Sequence, residues 1–120
     1  KGILNRNHPV LAGLSATHLY GFSRERHDPV THEMLDDDIA GDPTGHFVVL
    51  HGYDASTDSV LVADPYHGNP LSDGHSYRVG IVRLLGAIML GVLSYDGNLL
   101  VLDPPQRVET PSLADGPANR

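Results

Sequence analysis

No cysteine occurs among the 120 residues. That absence excludes disulfides, thiolate metal sites and a thiol nucleophile within the chain as given. Cations are scarce as well: Lys and Arg total 8 against 15 Asp and Glu, for a formal net charge of −7. Binding to a phosphate backbone draws on clustered positive charge, so no nucleic-acid partner is expected. The first residues, Lys1 to Arg6, lack an apolar segment of signal-peptide length. The most apolar stretch, residues 79–93, is shorter than a bilayer span and contains Arg83. A cytoplasmic chain that makes no membrane contact is therefore the expectation.

What the chain does have is turn formers and short apolar runs. Thirteen glycines and nine prolines in so short a chain, with 40% apolar residues, predict short elements joined by many turns within one small domain. Val10 to Leu14 has the small and apolar composition of a mostly buried strand. From Gly21 to Thr44 the sequence turns polar, includes Asp36, Asp37 and Asp38, and holds neither helical nor strand periodicity for long. A long surface loop, with room for a helical turn, is the reading there. Ile81, Leu84, Leu85 and Ile88 recur at helical spacing, which predicts a buried helix over about 81–90 ended by Gly91. Asp96-Gly97, set between Val92-Leu93 and the run from Leu99 to Leu102, predicts a hairpin. The fold class expected is α+β, an antiparallel sheet from residues near 10–14, 46–52, 60–64 and 92–102 with one packed helix. Residues 103–120 lack apolar periodicity and are expected to form a disordered, Pro-rich tail beyond a domain of residues 1–102.

The stretch with chemistry in it is GHFVVLHGYDASTDSVLVADPY, residues 45–66. Two β-branched, apolar runs, Phe47 to Leu50 and Val60 to Ala63, flank a turn-forming segment. With the turn centred on Ala55, Leu50 faces Val60, Val48 faces Val62, and His46 lies directly opposite Asp64. Strand alternation then puts His46, Val48, Leu50, Val60, Val62 and Asp64 on one face. Directly opposed residues have Cβ atoms about 5 Å apart, close enough for an imidazole to meet a carboxylate. Such a pair is two thirds of a catalytic triad, since a carboxylate on one ring nitrogen fixes the histidine tautomer and leaves the other nitrogen as a base. The competing reading is a partly buried histidine bonded to a neighbouring acid for structural reasons.

GHFVVLHGYD followed by VLVADPYHGNP resembles the His and Asp segments of papain-like cysteine peptidases of the bacteriocin-processing, double-glycine leader peptidase type and their looser bacterial relatives. The resemblance implies that His46 is the general base and Asp64 the residue that orients it, with Phe47, Val48 and Val49 in the core. Pro65, Tyr66 and Gly68 match the family's turn after the aspartate. The flanking similarity extends over roughly residues 8–102, with the hairpin specific and the flanks weak. In that family the nucleophilic cysteine and the oxyanion-hole glutamine come earlier in the chain, so the resemblance implies the C-terminal, β-rich His/Asp half only. Acyl transfer needs the thiolate that base and acid activate, and the chain alone is expected to be inactive. The expected partner is a peptide or protein, either as substrate or as ligand of a non-catalytic pseudopeptidase module. Without a helical half, exposed apolar surface and self-association are expected too.

Other chemistries find less support in the sequence. Ser15, Thr17 and Ser94 sit in no Gly-x-Ser-x-Gly context that would activate a hydroxyl. His46, Asp64 and His67 would make a facial set for zinc, but no HExxH-type spacing accompanies them. His46 and His51, five apart on a strand, face opposite ways. The run Asp36 to Asp38 lacks the glycine and distal glutamate of an EF-hand loop. No metal or other cofactor is expected.

Overall fold

A computed structural model describes residue 2, residues 8–94 and residues 97–105, with the side chains of residues 93 and 94 excepted. Residues 106–120 of the tail expected over 103–120, and the Asp96 corner of the expected hairpin, lie outside the described residues. Strands β1 (Val10–Ser15), β4 (Gly45–Asp54), β5 (Ser59–Ala63), β6 (Ser76–Gly80) and β7 (Leu99–Val101) form one antiparallel sheet in the order β6-β5-β4-β1-β7. Helix α2 (Ile81–Leu90) follows β6 and packs on β1 and on the short helix α1 (Ala16–Tyr20). The fold is thus α+β, an antiparallel sheet with one main helix, in accord with the sequence. No helix among the described residues is long and apolar enough to cross a membrane.

The core lies between the sheet and the two helices. Ala12 and Leu14 from β1, Val48 and Leu50 from β4, Val60 and Val62 from β5, and Tyr77 and Val79 from β6 meet Leu19, Leu84 and Ala87. Alternate residues along each strand supply this face, as a half-buried sheet requires. Between the helices contact is close: a Cβ on Gly86 would sit 2.7 Å from His18 Nε2. Helix α1 begins where Ser15 Oγ accepts from the His18 N–H, and ends at Gly21, whose φ of 72° is the left-handed cap glycine accepts at little cost.

Several sequence expectations need correction. Helix α2 has the expected bounds but is not buried all round: Leu84 and Ala87 are buried, whereas Leu85 is 50% exposed. Val82 and Met89 extend that exposed apolar surface. Gly91 continues right-handed into a 3-10 turn over Gly91–Ser94, so residues 92–94 are not a strand, and β7 pairs with β1 instead. The polar stretch 21–44 is not wholly loop, because β2 (Glu25–His27) and β3 (Met34–Asp36) form a small two-stranded ribbon. Strand β6 and helix α1 were not evident from periodicity, both being five residues long.

The hairpin register also differs. Asp54 pairs with Ser59, Tyr53 with Val60 and Gly52 with Leu61; then His51 bulges out, and Leu50 pairs with Val62 and Val49 with Ala63. Continued one step, this register sets Val48, not His46, beside Asp64. The turn is later than expected because Asp54 Oδ1 accepts from the Ser56 N–H and Asp58 adopts a φ of 47°, which shapes a four-residue connection, Ala55 to Asp58. Without the bulge, Asp64 would fall opposite Val49 and His46 would face away from it. The extra residue at His51 restores parity, so His46 and Asp64 share a face as diagonal neighbours.

Candidate functional site

At the open end of β4 and β5, His46 Nε2 lies 2.8 Å from Asp64 Oδ1. A carboxylate only accepts, so Nε2 carries a proton, and in the neutral imidazole Nδ1 holds the lone pair. Asp64 is 2% exposed, and it is saturated with donors. Tyr20 Oη donates to Oδ2 at 2.5 Å, Tyr77 Oη donates to Oδ2 at 2.7 Å, and the Tyr66 N–H donates to Oδ1 at 2.9 Å. These donors come from α1, from β6 and from the turn after β5, so the carboxylate ties three elements to the hairpin.

The electrostatics follow from that cage. Burial pushes the Asp64 carboxyl up, but hydrogen bonds from Tyr20, His46, Tyr77 and the Tyr66 N–H outweigh it and leave the group below the ordinary carboxylate range. Burial, followed by the bond to the Asp64 anion, pushes both the Tyr20 and Tyr77 phenols well above theirs. Asp64 is thereby an anion and the two phenols are neutral donors across the physiological range. An anion so placed orients the imidazole and stabilises an imidazolium formed beside it.

A cleft of about 240 Å³ adjoins the pair, lined by Thr17, Tyr20, Phe22, Thr44, His46 and Tyr66 among others. The Tyr20 ring centroid lies 5.3 Å from that of Phe22 and 6.0 Å from those of both His46 and Tyr66. The base thus sits beside an aromatic concavity of the kind that takes up an apolar side chain.

Both residues singled out from the sequence are therefore in contact, although by a diagonal register. The tyrosines that hold Asp64 were missed, since Tyr20 reaches it from 44 residues away and Tyr77 from 13. Tyr77 did carry a signal: Ser76-Tyr77-Arg78-Val79 alternates exposed and buried, with the tyrosine on the inner face. Two of the three hydroxyl candidates serve structure, Ser15 Oγ as the α1 cap and Thr17 Oγ1 as acceptor of the Thr44 N–H, while the Ser94 side chain lies outside the described residues. His67 does not join His46 and Asp64; its ring meets His75. Among the described residues, no group of three or more His, Asp or Glu side chains is placed to hold a metal ion. Asp37, from the acidic run, accepts from the N–H groups of Ile39 and Ala40 and from Arg26, and so closes a turn.

An antiparallel sheet with one main helix, presenting a histidine–carboxylate pair beside a cleft, is compatible with a papain-like peptidase fold. The chain belongs to the Peptidase_C39 like family, whose model matches residues 1–79, from before β1 through the penultimate residues of β6. It is accordingly a peptidase-like domain. No curated protein and no solved structure matches it.

Proposed function

We propose that the chain supplies the general base, His46, and its orienting carboxylate, Asp64, to a thiol-dependent hydrolase of peptide or amide bonds. The observation that carries this reading is the 2.8 Å contact between His46 Nε2 and an Asp64 carboxylate that is buried and fully hydrogen-bonded. The family match supports the same class. The 120 residues contain no cysteine, so the nucleophile comes from a segment outside them. On this reading residues 1–102 are the His/Asp half of the domain, of the bacteriocin-processing type, and the aromatic cleft receives a side chain of a peptide substrate.

The chemistry follows from the tautomer. His46 Nδ1 takes the thiol proton, and Asp64 stabilises the resulting imidazolium. The thiolate attacks the peptide carbonyl, and the Nδ1 proton passes to the leaving amine as the C–N bond breaks. A water then loses its proton to Nδ1 as its oxygen attacks the thioester, which releases the acid and restores the thiol. Tyr20 and Tyr77 act through Asp64 as positioning residues.

A second reading, a non-catalytic peptide-binding module, is favoured by the absence of cysteine from these residues. The two separate on the gene upstream of Lys1 and on the complete product it encodes. An in-frame cysteine at a helix start, with peptide hydrolysis abolished in His46→Ala, supports the hydrolase. Peptide binding without hydrolysis, unaffected in kind by His46→Ala, supports the binding module.

A further inference from the structure

Beyond β5 the chain makes a loop, Pro65 to His75, that the peptidase reading does not use apart from the Tyr66 N–H and the Tyr66 ring. The loop is held from within by Asn69, which is 5% exposed. Its amide group donates to the Tyr66 and Gly74 carbonyls at 3.0 and 2.8 Å, and its Oδ1 accepts from the Leu71 and Ser72 N–H groups at 3.1 and 3.0 Å. With every hydrogen and lone pair of that amide engaged, the loop has a defined course. It lays His67 against His75, ring centroids 4.0 Å apart, with the two Nε2 atoms 3.2 Å from each other.

The far side of His75 is fixed as well. Its Nδ1 lies 2.7 Å from the Asp64 carbonyl oxygen, and its own carbonyl accepts from the Asp64 N–H at 2.7 Å. A carbonyl only accepts, so Nδ1 carries the proton and Nε2 presents a lone pair toward His67. A backbone carbonyl behind an imidazole is the outer-shell arrangement that fixes a metal-ligating histidine. Two imidazole nitrogens at 2.0–2.1 Å from one tetrahedral ion lie about 3.3 Å apart, against about 2.9 Å at a right angle in a square plane. The observed 3.2 Å falls between these values, and with the ring centroids 4.0 Å apart the exposed rings must rotate outward to aim both lone pairs at one ion. Both rings are exposed, so waters can complete the coordination.

We propose that His67 and His75 form a two-histidine site for a borderline divalent transition-metal ion of the zinc or copper class, separate from the His46–Asp64 pair. His75 binds through Nε2 in the tautomer the Asp64 carbonyl imposes. His67 binds through Nε2 as its Nδ1–H tautomer, so the ion replaces the proton now shared between the facing nitrogens.

The test is calorimetric titration of Zn2+ into the 120-residue chain at neutral pH in a non-chelating buffer, with histidine Cε1–H resonances followed in parallel. One saturable ion per chain is expected, with the His67 and His75 resonances moving and that of His46 not. His67→Ala and His75→Ala each weaken binding by about tenfold or more. His27→Ala is the control, since its ring faces His32 at a centroid distance of 5.7 Å in another part of the molecule and its loss leaves the affinity unchanged. All these side chains are exposed, so the variants fold. Absence of saturable binding, binding that survives both variants, or binding that moves His46 instead would overturn the proposal, whether or not the peptidase reading holds.

Discussion

Asp64 and Asp37 are both aspartates that accept several hydrogen bonds, yet they do so in opposite ways. Asp37 gathers the N–H groups of Ile39 and Ala40, two and three residues on, together with Arg26 across the β2–β3 ribbon. Asp64 gathers His46, Tyr20 and Tyr77 from 18, 44 and 13 residues away, and only the Tyr66 N–H is local. Both carboxyls lie below their ordinary range, Asp37 chiefly through the Ala40 N–H and Arg26, and Asp64 through its cage of donors against the pull of burial. The lesson is that similar titration behaviour arises from a local turn in one place and from tertiary structure in the other. Only the second can join remote elements into a site.

The largest break in that comparison should come from Asp64→Ala. It strands two buried phenols and an N–H, and we expect a loss of roughly 3–5 kcal/mol in unfolding free energy by chemical denaturation. Tyr77→Phe removes one donor and keeps the ring, so about 1–2 kcal/mol should be lost in the same measurement, with the far-UV spectrum unchanged. Acid unfolding sharpens the contrast further. Because the folded Asp64 carboxyl lies below its unfolded value, its contribution is complete above about pH 4 and is lost as pH falls through the unfolded and then the folded value. Asp64→Asn should flatten the stability profile in that acid range, and an unchanged slope would count against the cage. Asp37→Ala should have the smallest effect, visible as faster amide exchange at Ile39 and Ala40 with the global transition unmoved.

The same division explains what the sequence made legible. The two hairpin strands and the bounds of α2 follow from local composition and periodicity, and both are present, whereas the shared face of His46 and Asp64, expected from another register, is reached through the His51 bulge. The register was not legible, since it depends on the His51 bulge and on Asp58 in a left-handed turn, neither of which has a strong local signature. A strand over 92–94 was expected from apolar residues that instead continue the helix direction past Gly91. Of the candidate site, the two ends of the dyad were readable, but Tyr20, Tyr77 and the His67–His75 pair arise from tertiary placement and from the Asn69 turn. Polar side chains that satisfy one another across the fold leave little trace in a linear pattern.

The central claim is that buried Asp64 fixes His46 with its proton on Nε2 and its lone pair on Nδ1. Long-range 1H–15N correlation of the His46 ring, recorded where the ring is neutral, tests it directly. A protonated Nε2 and a bare Nδ1 in the parent chain, giving way to a mixture of tautomers in Asp64→Asn, is the predicted result. A ring already averaged between tautomers in the parent, or protonated mainly at Nδ1, would contradict the account.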